Sequence, residues 1–263
     1  MKVSVIVPAA GRGKRFGGSQ NKVFERLKGR PIFIRALELF ANREDVCQIL
    51  LVVSPEDRPS VAERFGGNLG LMGVTLVDGG AERTDSVRNA LAKVSPEADF
   101  VAVHDAARPC VSPLWVDEVF AAAGASGAAI LACPVQGTLK KVSVTDETPQ
   151  GVTILGEKVA AAPRRRYRIE QTLERLEGVW EAQTPQVFRK DLLMAAYAKA
   201  TGAATDDARL VEATGYPVAV VVGDVRNIKI TTSADLALAA AIVDTLPKPK
   251  PKSDGSPFAE AQW

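Results

Sequence analysis

The amino-acid sequence predicts an α/β fold in which a mostly parallel, twisted sheet carries helices on both faces. Its β-branched runs are continuously apolar rather than alternating, which is typical of strands buried on both faces. Amphipathic stretches separate these runs, and this alternation favours parallel strands joined by crossover helices. The chain of 263 residues is long enough to bury a substantial hydrophobic core.

Strands and helices are predicted in alternation along the chain. Strands are expected over residues 3–7, 49–53, 74–77, 100–103, 129–135 and 218–222. Helices are expected over residues 31–40, 84–91, 113–123, 190–200, 206–213 and 233–246. Pro31 favours the start of the first helix, and Thr84 or Asp85 is a candidate N-cap for the second.

Two segments depart from this alternation. Residues 139–183 begin with a pattern typical of a hairpin that turns near residues 146–151, and we interpret the segment as an arm projecting from the sheet. The arm also carries a basic cluster of Arg164, Arg165, Arg166 and Arg168. We favour a solvated surface for it, and contact with an acidic partner face or with phosphate is the alternative. Residues 248–263 are rich in Lys and Pro and predict a flexible tail. We therefore expect one domain over residues 1–247, including the arm at 139–183, followed by the tail.

Charge and hydropathy exclude several classes of partner. The chain has 33 Lys and Arg against 31 Asp and Glu, a net charge of +2, which argues against broad electrostatic binding of nucleic acid or an anionic membrane. The apolar runs are shorter than the ~20 residues that a membrane span needs. The N-terminus has the pattern of a first strand rather than of a signal peptide. We expect a cytoplasmic protein.

The few cysteines and the single histidine limit which catalytic mechanisms and metal sites the chain can contain. Cys47, Cys110 and Cys133 are far apart and flanked by apolar residues, so we expect buried free thiols in a reducing compartment. His104 is the single histidine, which excludes a histidine-rich zinc site and leaves one residue for any Ser–His or Cys–His mechanism. The chemistry must depend mainly on Lys, Arg, Asp and backbone amides.

A glycine-rich basic segment follows the first strand. Its glycines and cations are Gly11, Gly13, Gly17, Gly18, Lys14, Arg15 and Lys22. Glycines at a strand-to-helix turn let backbone amides approach a phosphate closely. The spacing does not match a P-loop, and GxGxxxG differs from the dinucleotide pattern GxGxxG. The cations favour a triphosphate and hence a nucleotidyltransferase loop, while an ordinary Gly-rich turn with a solvated basic face is the alternative.

Further polar residues follow later strands. Ligands in open α/β sheets bind at the carboxyl ends of strands, where Asp105 could hold Mg²⁺ on phosphate oxygens and Arg108 could bind a phosphate through its fork. Lys229, between the last strand and the last helix, is expected at the same edge. For His104 we favour hydrogen bonding that orients the loop, and for Asp105 a helix cap is the alternative.

These segments together resemble the 2-C-methyl-D-erythritol 4-phosphate cytidylyltransferase family of the non-mevalonate isoprenoid pathway. The matching segments, in family order, are PAAGRGKRF, Lys22, GGAERTDSV, HDAARP, PVQGTLK, TLER, QTPQVF, TDDA and NIKITT. The resemblance implies a Rossmann-like nucleotidyltransferase fold with a protruding β-arm that forms a homodimer. It also implies attack of methylerythritol phosphate on the α-phosphorus of CTP, release of pyrophosphate, and Mg²⁺ or another divalent cation as cofactor.

The resemblance implies a role for each matching residue. Arg15 and Lys22 would stabilise charge on the CTP phosphates, Lys229 would position the acceptor phosphate, and Arg175 would bind the acceptor in the neighbouring subunit's site. Arg108 and Thr138 resemble further acceptor contacts. The residues that resemble the CTP site are Ala9, Ala10, Gly11, Gly13, Gly80, Ser86 and Asp105, the last of these near the metal and the ribose.

The implied reaction is compatible with a chain that has one histidine. A phosphate monoester has a second pKa of about 6, so the nucleophile is largely ionised at neutral pH and needs no general base. The difficulty is to bring two anions together, which requires cations rather than histidine.

Four departures from the family pattern leave selectivity for acceptor and base open: Asn21, Val23, Ala81 and Gly137. The nearest alternative is a cytidylyltransferase for another polyol phosphate such as ribitol 5-phosphate. More remote alternatives are a non-catalytic nucleotide-binding module and a nicotinamide oxidoreductase, for which Glu56 is a weak candidate for binding ribose. We expect no fused cyclodiphosphate synthase, since only the tail follows residue 247.

Overall fold

The computed structural model describes residues 1–11, 21–145, 152–154, 157–159, 166–173 and 178–249. The chain divides into a larger unit, Met1–Cys133 with Ala182–Trp263, and a smaller unit, Pro134–Glu181. Each is considered by itself below. None of the helices in the described ranges is both long and apolar enough to cross a membrane.

Strands and helices alternate through the larger unit. The strands are β1 Val3–Pro8, β2 Arg26–Leu27, β3 Arg30–Pro31, β4 Val46–Val53, β5 Val74–Asp78, β6 Phe100–Val103, β7 Ala128–Pro134, then after the smaller unit β12 Trp180–Arg189 and β13 Ala219–Val222. The helices are α1 Ile32–Glu38, α2 Arg58–Leu71, α3 Arg83–Leu91, α4 Pro113–Ser126, α5 Lys190–Lys199, α6 Ala208–Glu212 and α7 Ser233–Ile242. Short 3-10 helices cover Lys22–Phe24 and Val243–Thr245.

The central sheet confirms the predicted mostly parallel α/β fold. Its seven strands have the order β13-β7-β12-β6-β1-β4-β5. β1 pairs in parallel with β4 and with β6, β4 with β5, and β13 with β7. β12 pairs antiparallel with β6, with Gln186 opposite Val103. Each of the six predicted strands is present within three residues of its expected start and end.

The core has two layers because successive strand residues point to opposite faces. On one face, Val5 and Val7 of β1 pack in a cluster with buried residues of α1, α2 and α4. On the other, Ile6 packs in a cluster with buried residues of α3, α5 and α6. Strands covered on both faces explain why their sequence is apolar without alternation.

Besides the short strands β2 and β3, which were also not expected, two elements and one helix cap differ from the prediction. β12 was not expected, because its buried Gln183, Thr184 and Gln186 interrupt the apolar pattern. α2 was not expected, because it contains three glycines within 66–70, and glycine disfavours a helix. The N-cap of α3 is Glu82 rather than Thr84 or Asp85, in a capping box with Asp85. Reciprocal bonds of this kind satisfy two donors at the helix start.

The smaller unit contains two pairs of antiparallel strands. β8, Lys140–Thr145, pairs with β11, Arg166–Thr172, and β9, Val152–Ile154, pairs with β10, Glu157–Val159. The expectation that the first part of the arm folds back on itself as one hairpin was therefore wrong, since β8 pairs with the more distant β11. The expected turn at 146–151, the cluster residues Arg164 and Arg165, and residues 250–263 of the expected tail lie outside the described residues.

The cysteines are all free, but they differ in exposure. Cys110 and Cys133 are buried as expected, whereas Cys47 is exposed. The expectation of three buried thiols was wrong for Cys47, which lies near the start of β4 before that strand becomes fully covered. Burial raises the pKa of the Cys110 thiol to about 11 and also raises the pKa of Cys47.

Candidate active site

The carboxyl ends of the parallel strands meet at one edge of the sheet, as the sequence predicts. The amide of Ala9, after β1, donates to the carbonyl of Val52 at 2.7 Å, and the amide of Gly79, after β5, donates to that of Val53 at 2.8 Å. The amide of Ala106, after β6, donates to the carbonyl of Pro8 at 3.3 Å. These bonds bring the segments after β1, β5 and β6 together. Most of the expected site residues that the structure describes lie in these segments.

Asp105 lies at the centre of a cluster of cations at this edge. Lys229 Nζ lies 2.7 Å from Asp105 Oδ2, and Arg83 Nε lies 3.4 Å from Oδ1. Arg108 Nε lies 3.8 Å from Oδ2. Burial opposes ionisation of Asp105, but Arg83, Lys229 and Arg108 together hold the pKa of its carboxyl well below the usual range. Asp105 is therefore an anion at neutral pH, and the helix-cap alternative does not account for its contacts.

The two cations that the sequence places at this edge differ in exposure. The side chain of Lys229 is 40% exposed, whereas that of Arg108 is 7% exposed. Arg108 donates through Nη1 to the carbonyl of Asn227 at 2.6 Å and through Nη2 to that of Ala182 at 3.4 Å. Backbone carbonyls thus fix the guanidinium of Arg108, while Lys229 is accessible to a ligand.

His104 orients the loop that carries Asp105, as we interpreted from the sequence. Its ring is fully buried, with Nε2 3.1 Å from the carbonyl oxygen of Arg108 and Nδ1 3.0 Å from Thr184 Oγ1. Burial lowers the pKa of His104 to about 4, so the ring is neutral at pH 7. A carbonyl can only accept, which assigns the proton to Nε2. Thr184 then donates to Nδ1 and accepts from the amide of Asp105 at 3.1 Å.

The segment after β5 approaches the segment after β1 closely. A Cβ on Gly79 would lie 2.6 Å from the Cβ of Ala10, so a side chain there would push the two segments apart. The amide of Gly80 donates to Ser86 Oγ at 3.1 Å, and Ser86 Oγ donates to the carbonyl of Glu82 at 3.1 Å. Because Ser86 is buried and already bonded, its hydroxyl shapes the turn before α3.

Asn21 anchors the end of the glycine-rich segment to the sheet. Its Nδ2 donates to the carbonyl of Ala9 at 2.7 Å, and its Oδ1 accepts from the amide of Val23 at 3.3 Å. Asn21 is buried, and Lys22 beside it is half-buried. The asparagine that departs from the family pattern thus fixes the backbone next to the expected catalytic lysine.

Three expected site residues lie outside the described residues, and a fourth lies in the smaller unit. Gly13 and Arg15 fall within 12–20 and Arg175 falls within 174–177, both outside the described residues. Thr138 is exposed in the smaller unit. Their expected roles stay predictions.

Comparison with known proteins decides the family. The family model for 2-C-methyl-D-erythritol 4-phosphate cytidylyltransferase matches residues 3–155 and 158–245. The chain belongs to this family. It is an enzyme and a transferase, and the resemblance noted in the sequence is confirmed.

Individual cytidylyltransferases match over nearly the whole chain. One from Rhodopirellula baltica is 41% identical over 254 residues, covering 92% of this chain and 95% of the relative. One from Bacillus pumilus is 38% identical over 248 residues, covering 93% and 98% respectively. The crystal structure of the cytidylyltransferase from Thermus thermophilus is 34% identical, with a TM-score of 0.68, and covers 93% of this chain and 100% of that one. This likeness confirms the nucleotidyltransferase fold.

The sequence analysis of this cytidylyltransferase did not single out Arg83, Asp207, Thr184 and Asn227. Asn227 Nδ2 donates to the carbonyl of Thr184 at 3.0 Å, and Arg83 Nη2 lies 2.7 Å from Asp207 Oδ2. All four lie within segments already quoted for the family resemblance, GGAERTDSV, QTPQVF, TDDA and NIKITT. The sequence shows these four polar residues inside the family motifs. It does not show which of them contact each other, because that depends on how distant segments fold together.

Proposed function

We propose that the cluster around Asp105 and the glycine-rich segment form the site where CMP is transferred from CTP to 2-C-methyl-D-erythritol 4-phosphate. Cytidylyl transfer to this acceptor, in isoprenoid precursor biosynthesis, is the activity of the family to which the chain belongs. The observation that carries the assignment of the site is the buried, ionised Asp105 at the carboxyl edge, paired with the accessible Lys229 at 2.7 Å.

The reaction requires cations more than it requires a base. An oxygen of the acceptor phosphate forms a bond to the α-phosphorus of CTP while the bond from that phosphorus to the bridging oxygen of pyrophosphate breaks. The negative charge must be stabilised as these two anions meet. We assign this role to Arg15 and Lys22 for the CTP phosphates and to Lys229 for the acceptor phosphate. Lys229 can exchange its contact with Asp105 for one with phosphate because its side chain is partly exposed.

The residues fit a divalent cation such as Mg²⁺. Mg²⁺ prefers oxygen ligands and usually binds through one or two carboxylates together with substrate phosphates. Asp105 supplies one ionised carboxylate at this edge of the sheet, and within the described ranges no group of three His, Cys, Asp or Glu is placed to hold a metal. We propose that Asp105 would hold Mg²⁺ when CTP is bound, and that the ion would neutralise phosphate charge.

The nucleotide and the acceptor occupy separate parts of the proposed site. We assign CTP to Ala9, Ala10, Gly11, Gly13, Gly80, Ser86 and Asp105, where backbone groups beside the close approach of Gly79 to Ala10 can contact the base. Acceptor binding is assigned to Arg108, Thr138, Arg175 and Lys229. Ser86 acts through the turn it shapes, since its hydroxyl is buried.

We also propose that the enzyme is a cytoplasmic homodimer in which the arm supplies Arg175 to the partner's site. The support is an apolar face on the strand pair β8 and β11. Val142 lies opposite Ile169, and Val144 lies opposite Tyr167. All four side chains are about half exposed or more, from 48% for Val142 to 61% for Tyr167. Burying such a face against a second copy removes it from water.

The test is an assay of pyrophosphate release from CTP, Mg²⁺ and methylerythritol phosphate by the purified full chain. We expect release at least tenfold above that of a Lys22→Ala variant, an order-of-magnitude figure for loss of one charge-stabilising group. Equal release by the two proteins would contradict the proposed site. No release by the unsubstituted protein would contradict the activity itself. Competition between methylerythritol phosphate and ribitol 5-phosphate in one reaction then measures acceptor choice, and preferential use of ribitol 5-phosphate would replace the proposed acceptor.

A further inference from the structure

A chain of polar contacts leads from Asp105 away from the strand edge and ends at a buried tyrosine. Arg83 is the first residue of α3 and contacts two carboxylates, through Nε with Asp105 Oδ1 at 3.4 Å and through Nη2 with Asp207 Oδ2 at 2.7 Å. The shorter and therefore stronger contact is the one with Asp207. The contact with Asp207 therefore fixes Nη2 of Arg83, and Nε of the same guanidinium faces Asp105.

Asp207 is held from several sides. Its side chain is fully buried. The hydroxyl of Tyr197, in α5, donates to Oδ1. The amide of Asp207 donates to Gln186 Oε1 at 3.1 Å, and the amide of Ala208 donates to the same atom at 3.0 Å. Gln186 lies in β12 and Tyr197 lies in α5. Hydrogen bonds to these two residues therefore fix the position of Asp207 independently of its contact with Arg83.

The chemistry of the bridge requires arginine. A guanidinium presents several N–H groups in a rigid plane and can contact two carboxylates at once, whereas the ammonium of lysine is one compact charge. Of the three cations near Asp105, Arg108 is held by backbone carbonyls and Lys229 is partly exposed. Arg83 contacts a second carboxylate, that of Asp207, through the nitrogen Nη2.

We propose that Asp207 and Arg83 are positioning residues that set the orientation of the Asp105 carboxylate for the nucleotide. This inference rests on the proposed function, in which Asp105 contacts CTP. Asp207 fixes Arg83, and Arg83 fixes Oδ1 of Asp105, which leaves Oδ2 to Lys229. Neither Asp207 nor Tyr197 contacts substrate in this arrangement, so their effect on the reaction passes through Asp105.

The test compares Asp207→Asn and Arg83→Lys with a matched control. Arg189→Lys, at the end of β12, is the control, because it changes an exposed pair with Asp191 at 2.6 Å that lies outside this network. We expect the first two variants to lower kcat/KM for CTP by about 10–100-fold and to weaken the Kd for CTP, measured by calorimetry without acceptor, by at least threefold. The control should stay within twofold on both measures.

A double-mutant cycle separates positioning from a general structural role. Asp207→Asn is combined with Asp105→Asn, and the Kd for CTP is measured for all four proteins. If Asp207 acts through Asp105, its substitution changes the Kd less than twofold once Asp105 is altered. Multiplicative effects of the two substitutions would overturn the proposal, as would unchanged CTP binding and turnover in both Asp207→Asn and Arg83→Lys.

Two further readouts keep the outcome decisive. Circular dichroism and the Tm of each variant show whether it folds, and if Asp207→Asn fails to fold, the cycle is run with Arg83→Lys instead. If the unsubstituted enzyme turns over but the cycle is multiplicative, the positioning role fails while the proposed function stands. If the unsubstituted enzyme neither binds CTP nor releases pyrophosphate, both fail.

Discussion

The carboxyl edge of the central sheet and the strand pair of the smaller unit distribute their side chains in opposite ways. At the carboxyl edge, Asp105, Arg108 and Asp207 are buried and bonded to groups of their own unit. In the strand pair, Val142 and Tyr167 are exposed. Buried charges are costly unless they are paired, and exposed apolar clusters mark contact surfaces. The difference indicates that the buried charges of the first region are paired within their own unit, whereas the apolar face of the second is left exposed to solvent, as the proposed dimer contact requires.

The strongest test of the first half of this comparison is Lys229→Ala. We expect kcat/KM to fall by about 10²–10³-fold, since loss of one group that stabilises transition-state charge has effects of this size. The measurement is steady-state pyrophosphate release at saturating Mg²⁺. Lys93→Ala, at an exposed position on the same unit, is the control and should be unchanged. A fall below threefold in the Lys229 variant would remove this lysine from the reaction.

The second half of the comparison is tested on the apolar face of the arm. Val142→Glu combined with Ile169→Glu places two like charges opposite each other on that face, so we expect the dimer dissociation constant to rise by at least 100-fold. Sedimentation velocity over a concentration series measures it. Ser143→Glu, at the neighbouring position in β8, is the control. A dimer that persists in the double variant would show that this face is not the contact.

A smaller effect, on stability, is expected when the hydrogen bonds that Thr184 makes with Asp105 and His104 are removed. Thr184→Val keeps the shape of the side chain but removes the partner of the amide of Asp105 and of His104 Nδ1. Leaving buried polar groups unsatisfied costs about 1–3 kcal/mol each, so we expect the free energy of unfolding to fall by about 2 kcal/mol or more in denaturant titrations. Thr75→Val, at an exposed position in β5, should change it by less than ~0.5 kcal/mol.

The smallest effect is expected from modifying the cysteines of the native enzyme. Cys47 is exposed, whereas Cys110 and Cys133 are buried, so one thiol of three should react promptly with Ellman's reagent at pH 8. Its rate should increase with pH, because the thiolate is the reactive form and the pKa of Cys47 is raised. Activity should be retained after the modification. Prompt reaction of a second thiol would show that the core opens more readily than its burial indicates.

The sequence predicted the parts of the fold that depend on local pattern. Continuous apolar runs located β1, β4, β5, β6, β7 and β13, and the strand-end rule located Asp105 and Lys229 at one edge. β12 and the pairing of β8 with β11 were missed because they depend on contacts between distant residues. Gln183 and Thr184, for example, are buried and bond to residues far away in the chain, among them Asn227 and His104. Arg83 and Asp207 were missed for the same reason, since 124 positions separate them in the chain.

The chain leaves the central sheet at the end of β7 and re-enters it at the start of β12, and these two strands are neighbours. At that point the amide of Val135 donates to the carbonyl of Val179 at 3.1 Å, so the two ends of the intervening segment are already joined. In evolutionary terms the segment between them is an insert whose length and sequence can change while the sheet keeps its connections. Selection for a different acceptor or partner can therefore act on the insert without requiring a new nucleotide site.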